Sequence, residues 1–141
     1  MSYRKQTEAA FKAYLSGKVG VPVYAGTSDT IKAMPCVVVA YVGSSQNPPN
    51  TGNMDISLSV SVQSEIDEDG QPNALEVHDE LLSAVEESLF WSELQSINTG
   101  ATDFYVFGVA EQSGIERDVE GTTLRETITL TIPAALGVTT T

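Results

Sequence analysis

The stretch Asp55–Ser64, which reads Asp-Ile-Ser-Leu-Ser-Val-Ser-Val-Gln-Ser, decides the fold class of this chain. Apolar and small polar residues alternate along it with the period of a β-strand. Ile56, Leu58, Val60 and Val62 therefore fall on one face, and serines occupy most of the other. We expect a strand with a buried apolar face and a small, hydroxylated second face.

Periodicity in the flanking sequence predicts two helices and four further strands. Apolar residues recur at helical spacing before Gly17 and after Pro72, whereas the run from Cys36 to Val42 is rich in β-branched residues. The predicted elements are a helix at 4–16, strands at 21–24, 36–42 and 55–64, a helix at 72–90, and strands at 103–111 and 122–132. This order, α-β-β-β-α-β-β, predicts an α+β fold: a mostly antiparallel sheet of about five strands with two helices packed on one side.

The chain is expected to form a single domain over residues 1–141, since its length is that of one domain and no linker divides it. Two segments are expected to extend from this domain. The first, Ser44–Gly52, holds two prolines and two asparagines and is expected to project as an arm. The second, residues 133–141, should be a C-terminal tail that is flexible or contacts a neighbouring subunit.

The distribution of charge argues against nucleic-acid binding, and the length of the apolar runs argues against membrane insertion. The formal net charge is −12, and residues 1–32 hold five Lys or Arg against two acids. Residues 33–116 hold fourteen acids and no Lys or Arg, so this part cannot neutralise phosphates. The longest apolar run, Cys36–Val42, is too short to cross a bilayer. We expect DNA to be repelled, and no membrane partner.

Residues that could carry catalysis are few. His78 lies at the edge of the apolar stripe of the second helix, so we expect a structural, partly buried histidine. Cys36 begins a β-branched run without a basic neighbour, which predicts a buried packing thiol. There is no G-x-S-x-G, G-x-G-x-x-G or Walker motif and no Cys/His cluster. We predict a chain that is not an enzyme and uses no cofactor.

Residues 65–76 partly follow the pattern of a calcium-binding loop. Oxygen ligands at alternating positions and a glycine precede a helix, as such loops require. The matching residues are Asp67, Asp69, Gly70, Asn73 and Glu76. Glu65 and Pro72 depart from the pattern, and the element before the loop is predicted to be a strand. The segment therefore favours a solvated turn with acids near a helix N-terminus, and we predict no metal site. A calcium-dependent binding module stays open as an alternative.

Several segments together resemble a known family. They are Val21-Pro-Val-Tyr24, Ala33-Met-Pro-Cys-Val-Val-Val39, the serine-alternating strand at 55–64, the single long acidic helix, and Thr127-Ile-Thr-Leu-Thr-Ile-Pro133. In this order, after an N-terminal helix, they are similar to the tail terminator (tail completion) proteins of long-tailed bacteriophages. The resemblance covers most of the chain and rests on element order. The related head–tail neck or stopper proteins are the alternative.

The resemblance implies a structural virion protein that is assembled in the host cytoplasm. Such a protein forms a ring, usually a hexamer, that ends the tail tube and offers the surface on which the head attaches. Its partners would be the tail tube protein and the neck or head–tail connector proteins. Viral DNA would pass through the ring without specific binding.

Such a ring would explain the charge distribution, because acids that line its lumen repel DNA and keep it moving. Glu65, Asp67, Glu68 and Asp69 are the candidate lumen-lining acids, and an outer solvated rim is the alternative place for them. The candidate subunit contacts are Lys12, Lys18, Pro48 and Pro49. The basic start of one chain would pair with the acidic middle of the next, so reversing the charge of either lysine should weaken the oligomer.

Overall fold

The computed structural model describes residues 3–26, 29–46, 53–65, 72–90, 104–106 and 111–136. They form an α+β domain, which confirms the predicted fold class, and the helices and strands follow the predicted order. The elements are α1 (Tyr3–Ser16), β1 (Val23–Ala25), β2 (Cys36–Gln46), β3 (Asn53–Glu65), α2 (Pro72–Phe90), β4 (Phe104–Val106), β5 (Glu111–Glu120) and β6 (Thr123–Leu136). Of the two helices described, neither is long and apolar enough to cross a membrane.

The six described strands form one mixed sheet in the order β1-β2-β3-β6-β4, and β5 also pairs with β6. β1 and β2 run parallel, and every other described pair is antiparallel. β3 occupies one edge of β6 along nearly its whole length, so β4 and β5 share the other edge. β1 and β5 therefore lie at opposite ends of the sheet.

The ladder between β3 and β6 forms the centre of the sheet and confirms the prediction from the alternating serines. It runs from the pair Asn53 and Ala135 to the pair Glu65 and Thr123. The apolar residues of β3, from Met54 to Val62 at every second position, belong to the buried core. On the other face small hydroxylated residues meet, and the hydroxyls of Ser61 and Thr127 lie 3.1 Å apart.

Both helices contribute to the same buried cluster as the central strands. Phe11 and Leu15 of α1 and Val85 and Leu89 of α2 are fully buried in it. The helices are also linked directly, because the hydroxyl of Tyr14 donates to the main-chain carbonyl of Ser88 at 2.7 Å. That both helices lie on one side of the sheet stays a prediction.

Close packing fixes the sheet edge formed by β1 and β2. The N–H of Gly26 donates to the carbonyl of Val39 at 2.7 Å, and a Cβ at Gly26 would lie 3.0 Å from the Cβ of Ala40. Past this point the carboxylate of Glu8, which is buried in α1, accepts the N–H of Tyr41 at 3.0 Å. A glycine and a buried acid thus seat α1 and β1 against β2.

Of the strand predicted at 103–111, only residues 104–106 and Glu111 are described, and residues 103 and 107–110 lie outside the described part of the chain. The structure has a short β4 at Phe104–Val106 and a ten-residue β5 at Glu111–Glu120, which gives six strands where about five were expected. β5 reads Glu-Gln-Ser-Gly-Ile-Glu-Arg-Asp-Val-Glu, and its described side chains are exposed. A strand with neither face buried shows no clean alternation, which is why its sequence did not reveal it.

The boundaries of the two predicted extensions also change. Ser44–Gln46 continue β2, and residues 47–52, including Pro48 and Pro49, lie outside the described residues. At the other end Pro133–Leu136 continue β6 and pair with β3 and β4. The predicted tail therefore begins after Leu136 at the earliest, and residues 137–141 lie outside the described part of the chain.

Candidate functional site

A buried polar network joins the end of β3 to the beginning of α2. His78, in the second turn of α2, is fully buried, whereas its place at the edge of the apolar stripe predicted partial burial. Its Nδ1 lies 2.7 Å from Oγ of Ser64, and its Nε2 lies 3.2 Å from Oε1 of Glu126. Because a carboxylate can only accept, Nε2 is assigned as the donor, and in the neutral ring Nδ1 accepts the hydroxyl of Ser64.

Arg117 extends this network to the edge strand β5. It lies directly opposite Glu126 in the β5–β6 ladder, and both its Nε and Nη2 donate to Oε1 of Glu126, the former at 2.9 Å. Nη2 of Arg117 also lies 3.6 Å from Oδ1 of Asp79 on α2. A buried carboxylate would be costly alone, and here it is compensated by a guanidinium and an imidazole. The network thereby connects β3, α2, β6 and β5.

This network anchors the acidic connection between β3 and α2 at both ends. Ser64 precedes the exposed Glu65, which is the last residue of β3, and His78 holds the beginning of the following helix. Glu65 is therefore a solvent-exposed acid at the end of β3. Asp67, Glu68 and Asp69 lie outside the described residues, so their place in a lumen or on a rim stays a prediction.

The residue types of the network are those of a Ser–His–acid triad, but its arrangement differs. In the serine protease template the serine bonds Nε2 and the acid bonds Nδ1, and the serine is open to substrate. Here Ser64 bonds Nδ1, Glu126 bonds Nε2, and Ser64 is only 4% exposed. The geometry therefore supports positioning and charge compensation for these three side chains.

The calcium-dependent binding module stays the alternative that the sequence left open. Among the described residues, no group of three or more His, Cys, Asp or Glu side chains is placed to hold a metal ion. Of the residues that match the loop pattern, Glu76 is exposed on α2, while Asp67, Asp69 and Gly70 lie outside the described residues. The expectation of no metal site stays a prediction.

The two lysines predicted as subunit contacts both have partners within their own chain. Nζ of Lys12 lies 2.6 Å from Oδ2 of Asp29, and this carboxylate also accepts the N–H of Ala25 at 2.8 Å. Nζ of Lys18 lies 5.7 Å from the centre of the Tyr14 ring, within range of a cation–π interaction. Pairing of Lys12 with a neighbour would have to compete with Asp29.

The two ends of the sheet carry opposite charge. At the β1 end, α1 and the segments next to it bring five bases and two acids within residues 1–32, and one of these acids, Glu8, is buried. At the β5 end, residues 111–120 hold four acids and one base. β5 also exposes two large apolar side chains, Ile115 and Val119.

Two of these features were missed by the sequence analysis, the buried carboxylate of Glu126 and the edge strand β5. One left a signal: Glu126 is in phase with the inward-facing Leu124 and Ile128, and a charged residue at a core position calls for a buried partner. The other, the β5 edge, left only isolated apolar residues among acids. The buried thiol of Cys36, by contrast, was predicted and is confirmed.

No protein-family model matches the chain, and no curated protein matches it either.

Proposed function

We propose that this chain is a structural protein of a phage tail, forming a ring, hexameric by the resemblance, that ends the tail tube and provides the attachment surface for the neck and head. The helices and strands follow the element order that carried the resemblance, with one more strand after α2 than the resemblance implies. The partners proposed on the same ground are the tail tube protein and the neck proteins.

The observation that carries the proposal is the opposite charge of the two ends of the sheet. A ring needs a head-to-tail contact, in which one surface of each copy meets a different surface of the next. A basic end and an acidic end on one domain are complementary in this way, whereas two identical ends would repel. The same distribution leaves residues 33–116 without Lys or Arg, which suits a channel that must release DNA.

The direct experiment adds the purified chain to polymerising tail tube protein of the same phage and follows tube length by negative-stain electron microscopy. A terminator should stop elongation at substoichiometric amounts and leave a ring at one end of each tube. Tubes that keep growing and carry no ring would overturn the proposal. A ring found on the connector of DNA-filled heads, with tube growth unaffected, would favour the neck or stopper protein.

A further inference from the structure

An exposed edge strand such as β5 is unusual in a protein that remains monomeric. Among the described strands it pairs with β6 alone, and no described strand pairs with the main-chain groups of its outer edge. Open edges recruit further strands, and proteins that remain monomeric usually cover or interrupt them. One face of β5 carries Glu116, Asp118 and Glu120. The other face carries the apolar Ile115 and Val119 on either side of Arg117.

The two exposed apolar side chains of β5 lie on the face of the strand that is turned towards α2. Ile115 and Val119 lie on the face of Arg117, which contacts Asp79 of α2. Leu75 is one turn before Asp79 and lies on the same side of the helix. The side chains of Leu75, Ile115 and Val119 are 37%, 47% and 53% exposed.

At the opposite end of the sheet, part of the outer edge of β2 is also unpaired among the described strands. β1 pairs with β2 at Val37–Val39, and Glu8 accepts the N–H of Tyr41, but beyond this point none of the described strands pairs with the outer edge of β2. This segment, Val42–Gln46, is uncharged, and the side chain of Val42 is 58% exposed. It is flanked by α1, where the guanidinium of Arg4 lies 5.8 Å from the centre of the Tyr41 ring.

From these two edges we infer that β5 of one copy docks on the outer edge of β2 in a second copy of this chain, with Leu75, Ile115 and Val119 against the surface around Val42. The acids of β5, Glu116, Asp118 and Glu120, would face the basic α1 side of that copy. A second copy is the occupant because this chain itself carries the complementary apolar, charged and strand-edge features at its other end. The inference rests on the proposed ring and names its subunit contact.

Chemical cross-linking of the full chain tests the contact. Val119→Cys and Val42→Cys are made separately, since both positions are exposed, and the two proteins are mixed and treated with a short bis-maleimide. Native Cys36 is buried and serves as an internal check against unfolding. We expect covalent dimers in the mixture and at most traces with either variant alone. A chain carrying both substitutions should give a ladder that ends at the closed ring.

A matched control replaces Val119 by another exposed apolar position. Val77, 49% exposed on α2, lies on the other side of that helix from Asp79, so Val77→Cys mixed with Val42→Cys should give no dimer above background. Dimers from Val119→Cys alone, at the yield of the mixture, would mean that β5 pairs with itself and would overturn the inference.

The assembly mass, measured on the same samples, separates this inference from the proposed function. A ring-sized mass without a link between positions 42 and 119 would refute the β5 contact and leave the ring intact. A monomeric mass and no link, both in solution and on tail tubes, would refute both.

Discussion

Glu126 and Arg117 face each other across the β5–β6 ladder, and Nε of Arg117 lies 2.9 Å from Oε1 of Glu126. The side chain of Glu126 is 8% exposed, whereas that of Arg117 is 53% exposed. The pair thus connects a buried histidine to the edge strand. The stability of the core and the shape of the proposed docking edge are therefore linked through one carboxylate.

Replacing Glu126 by glutamine should lower the free energy of unfolding by about 1–3 kcal/mol, because the amide cannot satisfy His78 and Arg117 as the carboxylate does. Solvent partly compensates the exposed Arg117, which keeps the loss below that of a fully buried ion pair. Urea denaturation measures the effect. Glu87→Gln, at an exposed position of α2 outside the proposed contact, is the control and should stay within about 0.5 kcal/mol of the native chain. Equal stability of the two variants would contradict the network.

The hydroxyl of Ser64 should matter because it satisfies a buried ring nitrogen. Ser64→Ala leaves Nδ1 of His78 without this partner, and we expect a loss of about 1–3 kcal/mol in the free energy of unfolding. Ser59→Ala, in the same strand but on the other face, should change it by less than about 0.5 kcal/mol. If both alanine variants unfold at the same urea concentration, the hydrogen bond contributes nothing measurable.

Asp29 should stabilise the fold in a pH-dependent way. Its pKa lies below its ordinary value of 3.8, first because Lys12 donates to the carboxylate and second because the N–H of Ala25 does. A depressed pKa favours the ionised folded state, so the stabilisation is present above pH 3.8 and is lost as the pH falls through the folded value. The stability difference between the native chain and Asp29→Asn should therefore be present at neutral pH and vanish in strong acid.

The same carboxylate can be followed directly by NMR. Lys12→Met removes the largest cause of the shift, so the pKa of Asp29 should rise towards its ordinary value. A titration curve for Asp29 that does not move in this variant would show that the ion pair is absent in solution.

Cys36 should be unreactive in the folded chain. Burial raises the pKa of its thiol, and the side chain has no exposed surface. We expect no reaction with Ellman's reagent until the chain is unfolded in urea, where one thiol per chain should react. Val77→Cys, exposed on α2 and outside the proposed subunit contact, is the control and should react in the folded state. Equal labelling rates for the two thiols in the native protein would contradict the burial of Cys36.

The proposed lumen predicts a topological preference for DNA. If Glu65 lines a channel, lysines in place of Glu65, Asp67, Glu68 and Asp69 should retain linear duplex threaded through the ring. Closed circular duplex, which cannot thread a preformed ring, should be released, and retention should fall steeply with salt. Gel-shift assays with both forms measure this. Equal retention of linear and circular DNA would place these acids on the outer rim.

The sequence predicted those parts of the fold in which one face is buried. β3 alternates cleanly because its apolar face packs in the core, and α2 shows an apolar stripe for the same reason. β5 was missed because Ile115 and Val119 are exposed and no core imposes a period on them. His78 was recognised as a structural histidine, but its partners Ser64 and Glu126 come from strands distant in sequence, so only the fold brings them together.

The mass of the purified chain in solution tests the central claim most directly. Light scattering is carried out from low to moderate salt, with and without EDTA, on a chain of 15.0 kDa. The account predicts a discrete species with the mass of a closed ring, near that of a hexamer, which EDTA does not change. A strict monomer that loses its fold in EDTA would contradict the account and support the calcium-dependent binding module.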